Sequence, residues 1–154
     1  MRAATVRPLD AVLRPLHAAW VEDVRRFLEP TLEPEADFWT RWAAVRYLAD
    51  DFRERYRRER ELIDALRPLL EPETADHLVR QGDHLVRLRL ELDRVGRRRG
   101  TVDEVAARTR ELLDHLSPWL EAIERAARGI PLDALPPEAA EWLARLEALP
   151  TAGG

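Results

Sequence analysis

Phe38, Trp42, Val45, Ala49, Phe52, Tyr56, Glu59, Ile63, Leu66 and Leu70 follow one another in steps of four and three without a break. That spacing keeps side chains on one helical face and is the seam of a packed bundle. A strand needs a step of two, and such alternation is nearly absent from the chain. The seam predicts one long helix over about residues 36–70. A helix with one apolar face must bury it against other elements, so the rest of the chain has to supply them.

It does so in the same pattern. Leu9, Leu13, Leu16, Trp20, Val24 and Phe27 predict a helix over about 9–29. Ala75, Leu78, Gly82, Leu85, Leu88, Leu92 and Val95 predict one over about 75–95, with Thr74 as N-cap and Gly96 as C-cap. Thr101 and Glu104 form a capping box before a fourth helix carrying Val102, Ala106, Thr109, Leu113, Leu116, Leu120, Ile123 and Ala127, ended by Gly129 and Pro131. Ser117-Pro118 predicts a kink or a restart within it. Pro136-Pro137 opens a short fifth helix over about 137–149, with Trp142, Leu143, Leu146 and Leu149 on its apolar face. Short connections favour antiparallel neighbours. The expected fold is all-α: an up-down four-helix bundle with a short fifth C-terminal helix. A single domain over 1–150 carries it, and the tail TAGG, 151–154, is expected to be disordered.

Composition narrows the function classes. The 154 residues suffice for one core without cross-links, and there is no cysteine. Disulfide scaffolds, thiolate metal sites and thiol catalysis are therefore excluded. All 25 basic residues are arginine, which matches a GC-rich bacterial genome. The net charge is -4, and the arginine runs at 55–60 and 97–99 hold a single aromatic, Tyr56, which argues against nucleic acid. No stretch approaches the ~18 apolar residues of a membrane span, and the N-terminus lacks a signal-peptide core, so a soluble cytoplasmic protein is expected. There is one serine, without a nucleophile elbow, and no glycine-rich phosphate loop, so the chain is not expected to be an enzyme.

Polar residues interrupt the seams. Glu59 lies on the second, Gly82 on the third. His115 sits beside the fourth, between Leu112 and Trp119, and His17 lies between Leu13 and Trp20 on the first. Pairing the second and third helices about residue 72, and the third and fourth about 99, places Glu59, Gly82 and His115 near one layer. Pairing the first two helices about residue 32 leaves His17 ~18 Å from Glu59, unless the connector EPTLEPEA is uneven. Arg55, one turn before Glu59, is the expected ion-pair partner of that carboxylate. His77 and His84 lie off the seam, expected as partly solvated surface histidines. Trp39 is a candidate for an exposed interface.

Over about residues 9–131 this pattern resembles the hemerythrin-like family of HHE cation-binding bundles. That family holds a di-iron centre through His-x-x-x-Glu on the second helix, a lone His on the third, and His-x-x-x-Glu or His-x-x-x-His on the fourth. Here Arg55 stands at the second-helix His position with Glu59 four residues on. Gly82 takes the third-helix His position. His115 matches the fourth-helix His, but Trp119 replaces its companion, and His17 matches a first-helix His. The resemblance implies a largely lost di-iron site, with His17, Glu59 and His115 as the remaining metal candidates. The expected role is a non-catalytic binding or regulatory module without a cofactor, acting through a protein partner or a homo-oligomer. The alternatives are an iron-binding sensor of oxygen, nitric oxide or peroxide, in which a water or His84 completes the site, and a purely structural or oligomerising domain.

Overall fold

A computed structural model describes residues 7–97 and 102–148. Among these residues there are helices and no strands, so the chain is all-α. The helices are α1 (Leu9–Leu28), α2 (Phe38–Tyr47), α3 (Arg53–Leu66), α4 (Pro72–Arg97), α5 (Val102–Ala126) and α6 (Pro137–Ala148). No described helix is long and apolar enough to cross a membrane.

Cross-helix contacts give the relative directions. Between α3 and α4, Arg67 meets Asp76 and Arg60 meets Asp83. Between α4 and α5, Leu78 meets Trp119, His84 meets His115 and Glu91 meets Arg108. As numbers rise on one helix they fall on the other, so both pairs are antiparallel, about the turns expected from the sequence. The α1–α5 pair runs the same way, from Asp10 with Gly129 to His17 with Glu124. At its far end Thr31, just past α1, bonds Thr109. Gly129, at φ 75°, supplies the left-handed residue that ends the α5 segment.

Several local expectations are corrected. α4 opens at Pro72, whose fixed φ suits a first helical position, so Thr74 lies inside the first turn. The same helix runs past Gly96 to Arg97, so Gly96 is not its cap. α5 does not restart at Ser117; it continues through Pro118, which forgoes the helical hydrogen bond to the Asp114 carbonyl, and both residues are exposed. Thr101, the side chain of Trp142 and the tail 151–154 lie outside the described residues.

The second seam is the largest departure. A π-helical turn, Leu48–Phe52, joins α2 to α3. It takes up an extra residue, so the buried set leading into it is Ala44, Val45 and Tyr47, continued by Leu48 at its start. Ala49 is only half-buried, and Phe38 and Trp42 are exposed; Trp39, expected beside the seam and exposed, is so. Beyond the turn the expected face returns with Phe52, Glu59, Ile63 and Leu66, joined by Leu62.

Gly82 has a packing reason. A Cβ built there would lie 3.0 Å from Cζ2 of Trp119 and 3.1 Å from the Tyr56 hydroxyl. The Trp119 indole is buried and stacks on Tyr56 at 5.3 Å between centroids. Its Nε1 donates to the Leu78 carbonyl at 2.9 Å, so the ring has little room to retreat. Gly82→Ala gains about 1 kcal/mol of helix propensity but overpacks a fixed ring, which costs about 1–3 kcal/mol. We expect Gly82→Ala to lower stability by about 1 kcal/mol in urea melts, and Gly82→Ala/Trp119→Phe to recover part of it. A stabilised single variant would show that the indole yields.

Candidate functional site

α1 and α3 each place one ionisable side chain in the interior, and α5 adds the half-buried Glu124 at its margin. His17 is 3% exposed and Glu59 4%. Nε2 of His17 lies 2.8 Å from Oε1 of Glu59, and Nδ1 lies 2.8 Å from Oε2 of Glu124. Each carboxylate accepts, so both ring nitrogens donate and the ring is an imidazolium held between two anions.

Burial on its own would lower the pKa of His17, because it disfavours charge. The charge of Glu59, then the hydrogen bonds to Glu124 and Glu59, outweigh burial and raise the pKa from 6.5 to about 9. The second oxygen of Glu59, Oε2, is shielded from solvent without a hydrogen-bond partner. This carboxylate therefore depends on the imidazolium for its compensation.

His17 and Glu59 meet because the first connector is uneven. The 3-10 turn Glu29–Leu32 prolongs the α1 segment before the chain reverses. Thr31 is pinned there, donating to the Leu28 carbonyl at 2.6 Å and lying 2.9 Å from the Thr109 hydroxyl. Residues 17 and 59 are thus equally far from residue 38, where α2 begins, and the ~18 Å separation expected from a tight turn is overturned.

Arg55 is not the partner of Glu59. Its Nη2 donates to the Leu16 carbonyl at 3.2 Å, and its guanidinium lies 5.5 Å from the centre of the Trp20 ring. It closes the α1–α3 seam from the half-buried side. Glu124 was not singled out by sequence: it stands beside Ile123 on the α5 seam, one carboxylate among 29 acidic residues. Its position one turn after Leu120 was the only available signal.

His115 is exposed, and its Nδ1 donates to the Glu111 carbonyl at 2.8 Å. Its ring neighbour is His84. The structure therefore joins His17 to Glu59 and sets His115 apart from them on the outer α4–α5 seam. Among the described residues no group of three or more His, Asp or Glu side chains is arranged to hold a metal ion. The donor set of a di-iron centre does not fit this interior. Arg55 turns to a carbonyl and a ring, Trp119 fills the space beside Gly82, and both nitrogens of His17 point at carboxylates. An imidazole needs a free lone pair to ligate. No family model, no curated protein and no solved structure matches the chain.

Two outcomes test the site. The folded pKa of His17 is raised, so its stabilising contribution is complete below 6.5 and is lost as pH rises through about 9. Unfolding free energy should fall by roughly 3 kcal/mol over that window. His17→Gln should be less stable by about 3–5 kcal/mol below pH 6.5, because it removes one partner of a buried ion pair, and should lose the slope. A flat profile in the parent protein would mean that the ring is neutral. Arg55→Ala should cost only about 1 kcal/mol, the worth of a carbonyl hydrogen bond and a cation–π contact. A loss of 3 kcal/mol or more (the range of a broken buried ion pair) would restore Arg55 as the ion-pair partner.

Proposed function

We propose that this chain is a non-catalytic binding or regulatory module, an up-down four-helix bundle of the hemerythrin-like kind with α6 as its short fifth helix. Its interior holds a proton where such bundles hold metal. The observation that carries the reading is the engagement of both ring nitrogens of His17 by Glu59 and Glu124. A bridging imidazolium supplies the positive charge that a cation would otherwise give to these carboxylates. Trp119 against Gly82 supports the same reading, since it packs apolar volume at two positions where the family places ligands.

The module's contacts would lie on its surface. Trp39 is 72% exposed and meets Phe38 edge-on, and Phe38 stacks on Trp42. Aromatics in this state are enriched in the centres of protein interfaces. The partner on this reading is another protein or a second copy of the chain, and the location is the cytoplasm.

Metal loading decides between this reading and an iron sensor. Untagged protein is incubated anaerobically with ferrous iron, freed of excess and assayed for metal. We expect far fewer than two irons per chain, with no oxo-bridged absorption after exposure to air. Near two irons per chain would overturn the reading. A melting temperature that rises with protein concentration would favour the oligomerising alternative.

A further inference from the structure

His84 of α4 and His115 of α5 meet on the outer seam, with ring centroids 4.7 Å apart and planes inclined by 67°. His84 is half-buried and His115 exposed, and neither takes part in the His17 cluster. Nδ1 of His115 donates to the Glu111 carbonyl at 2.8 Å. A carbonyl only accepts, so Nδ1 carries the proton and Nε2 of the neutral ring keeps its lone pair. Metal-ligating imidazoles are oriented in this way, one nitrogen anchored and the other open.

The ring separation also suits a shared ion. A zinc–nitrogen bond of about 2.0–2.1 Å puts the ring centre about 3.2 Å from the metal. Two such rings at ligand angles of about 90–110° have centroids about 4.5–5.2 Å apart. The helices that carry them are fixed on both sides of the pair. Trp119 Nε1 bonds the Leu78 carbonyl at 2.9 Å, and Arg108 reaches Glu91 at 3.6 Å. The rings are therefore presented together by rigid elements. Gln81, one turn before His84 on the same face, has a shielded Oε1 with no hydrogen-bond partner.

We propose that His84 and His115 form a surface site for a borderline divalent transition-metal ion such as zinc, copper or nickel. Gln81 Oε1 supplies a third protein donor and water completes the shell. Imidazole suits these ions, while a single amide oxygen is too weak a set for magnesium or calcium. Bound metal clamps α4 to α5. This site stands apart from the interior reading, since it uses neither His17 nor Glu59.

The test uses the untagged full chain, which has only four histidines. Zinc binding is followed by calorimetry, and copper(II) is added in sub-stoichiometric amounts while the histidine side-chain resonances are recorded. We expect one zinc per chain and selective broadening of His84 and His115. Zinc should raise the melting temperature. His84→Ala or His115→Ala should weaken binding at least about tenfold, or 1.4 kcal/mol, and Gln81→Ala should weaken it less. His77→Ala should leave it unchanged. The exposed position of His115 makes its variant safe for folding. No zinc uptake at about 1 mM, or uniform broadening of all four histidines, would reduce the pair to a ring contact. His17 broadening first would move the metal to the interior. Each of these results overturns the proposal.

Discussion

A buried charge has to be answered, and Glu59 poses that demand in the centre of the molecule. It is answered by His17, which is answered in turn by Glu124. One imidazolium thereby ties together the first, third and fifth helices at a single level. The geometry leaves little freedom. A slip of one residue on α1 would turn the ring by about 100° and take the imidazolium away from both carboxylates. Such clusters add little net stability compared with apolar packing, but they penalise the wrong register heavily. The surrounding core can be largely aliphatic because this layer fixes the arrangement.

The contact between α4 and α5 is built differently. Gly82 on α4 and Trp119 on α5 form a complementary pair, the smallest residue against the largest, with Tyr56 from α3 stacked on the indole. The indole nitrogen bonds the Leu78 carbonyl one turn before the glycine. The ring lies over the backbone of α4 and does not merely abut it. α3 and α5 thus take part in both, the polar cluster through Glu59 and Glu124 and the aromatic contact with α4 through Tyr56 and Trp119.

The joint between α2 and α3 turns a buried face outward. The π turn at Leu48–Phe52 inserts a residue into a helix whose sequence pattern is otherwise continuous. Residues before the turn therefore present a different face from residues after it. Phe38, Trp39 and Trp42 end up outside, where Arg97 of α4 lies over the Trp42 ring at 6.0 Å. The wide turn thus adds Phe38 and Trp42 to the exposed Trp39.

Periodicity in the sequence alone determined the all-α class, five helical segments, and the pairing of α3 with α4 and α4 with α5; it did not show that a π turn divides the second segment into α2 and α3. Apolar spacing reports which face of a helix is buried, and short turns fix which neighbours meet. It also singled out Glu59, Gly82 and His17 as breaks in the pattern. It did not supply their partners. The union of His17 with Glu59 depends on a connector that prolongs the first helix before reversing, and 3-10 and π turns leave little trace in a four-three pattern. Glu124 could not be picked out, because a carboxylate beside a seam looks the same whether it meets water or an imidazolium. Arg55 shows the limit from the other side: it stood one turn from Glu59 in sequence, yet a carbonyl and an indole on the neighbouring helix claimed it. The tertiary structure decided these pairings because charge and hydrogen bonding act across helices, between residues 42 and 107 positions apart.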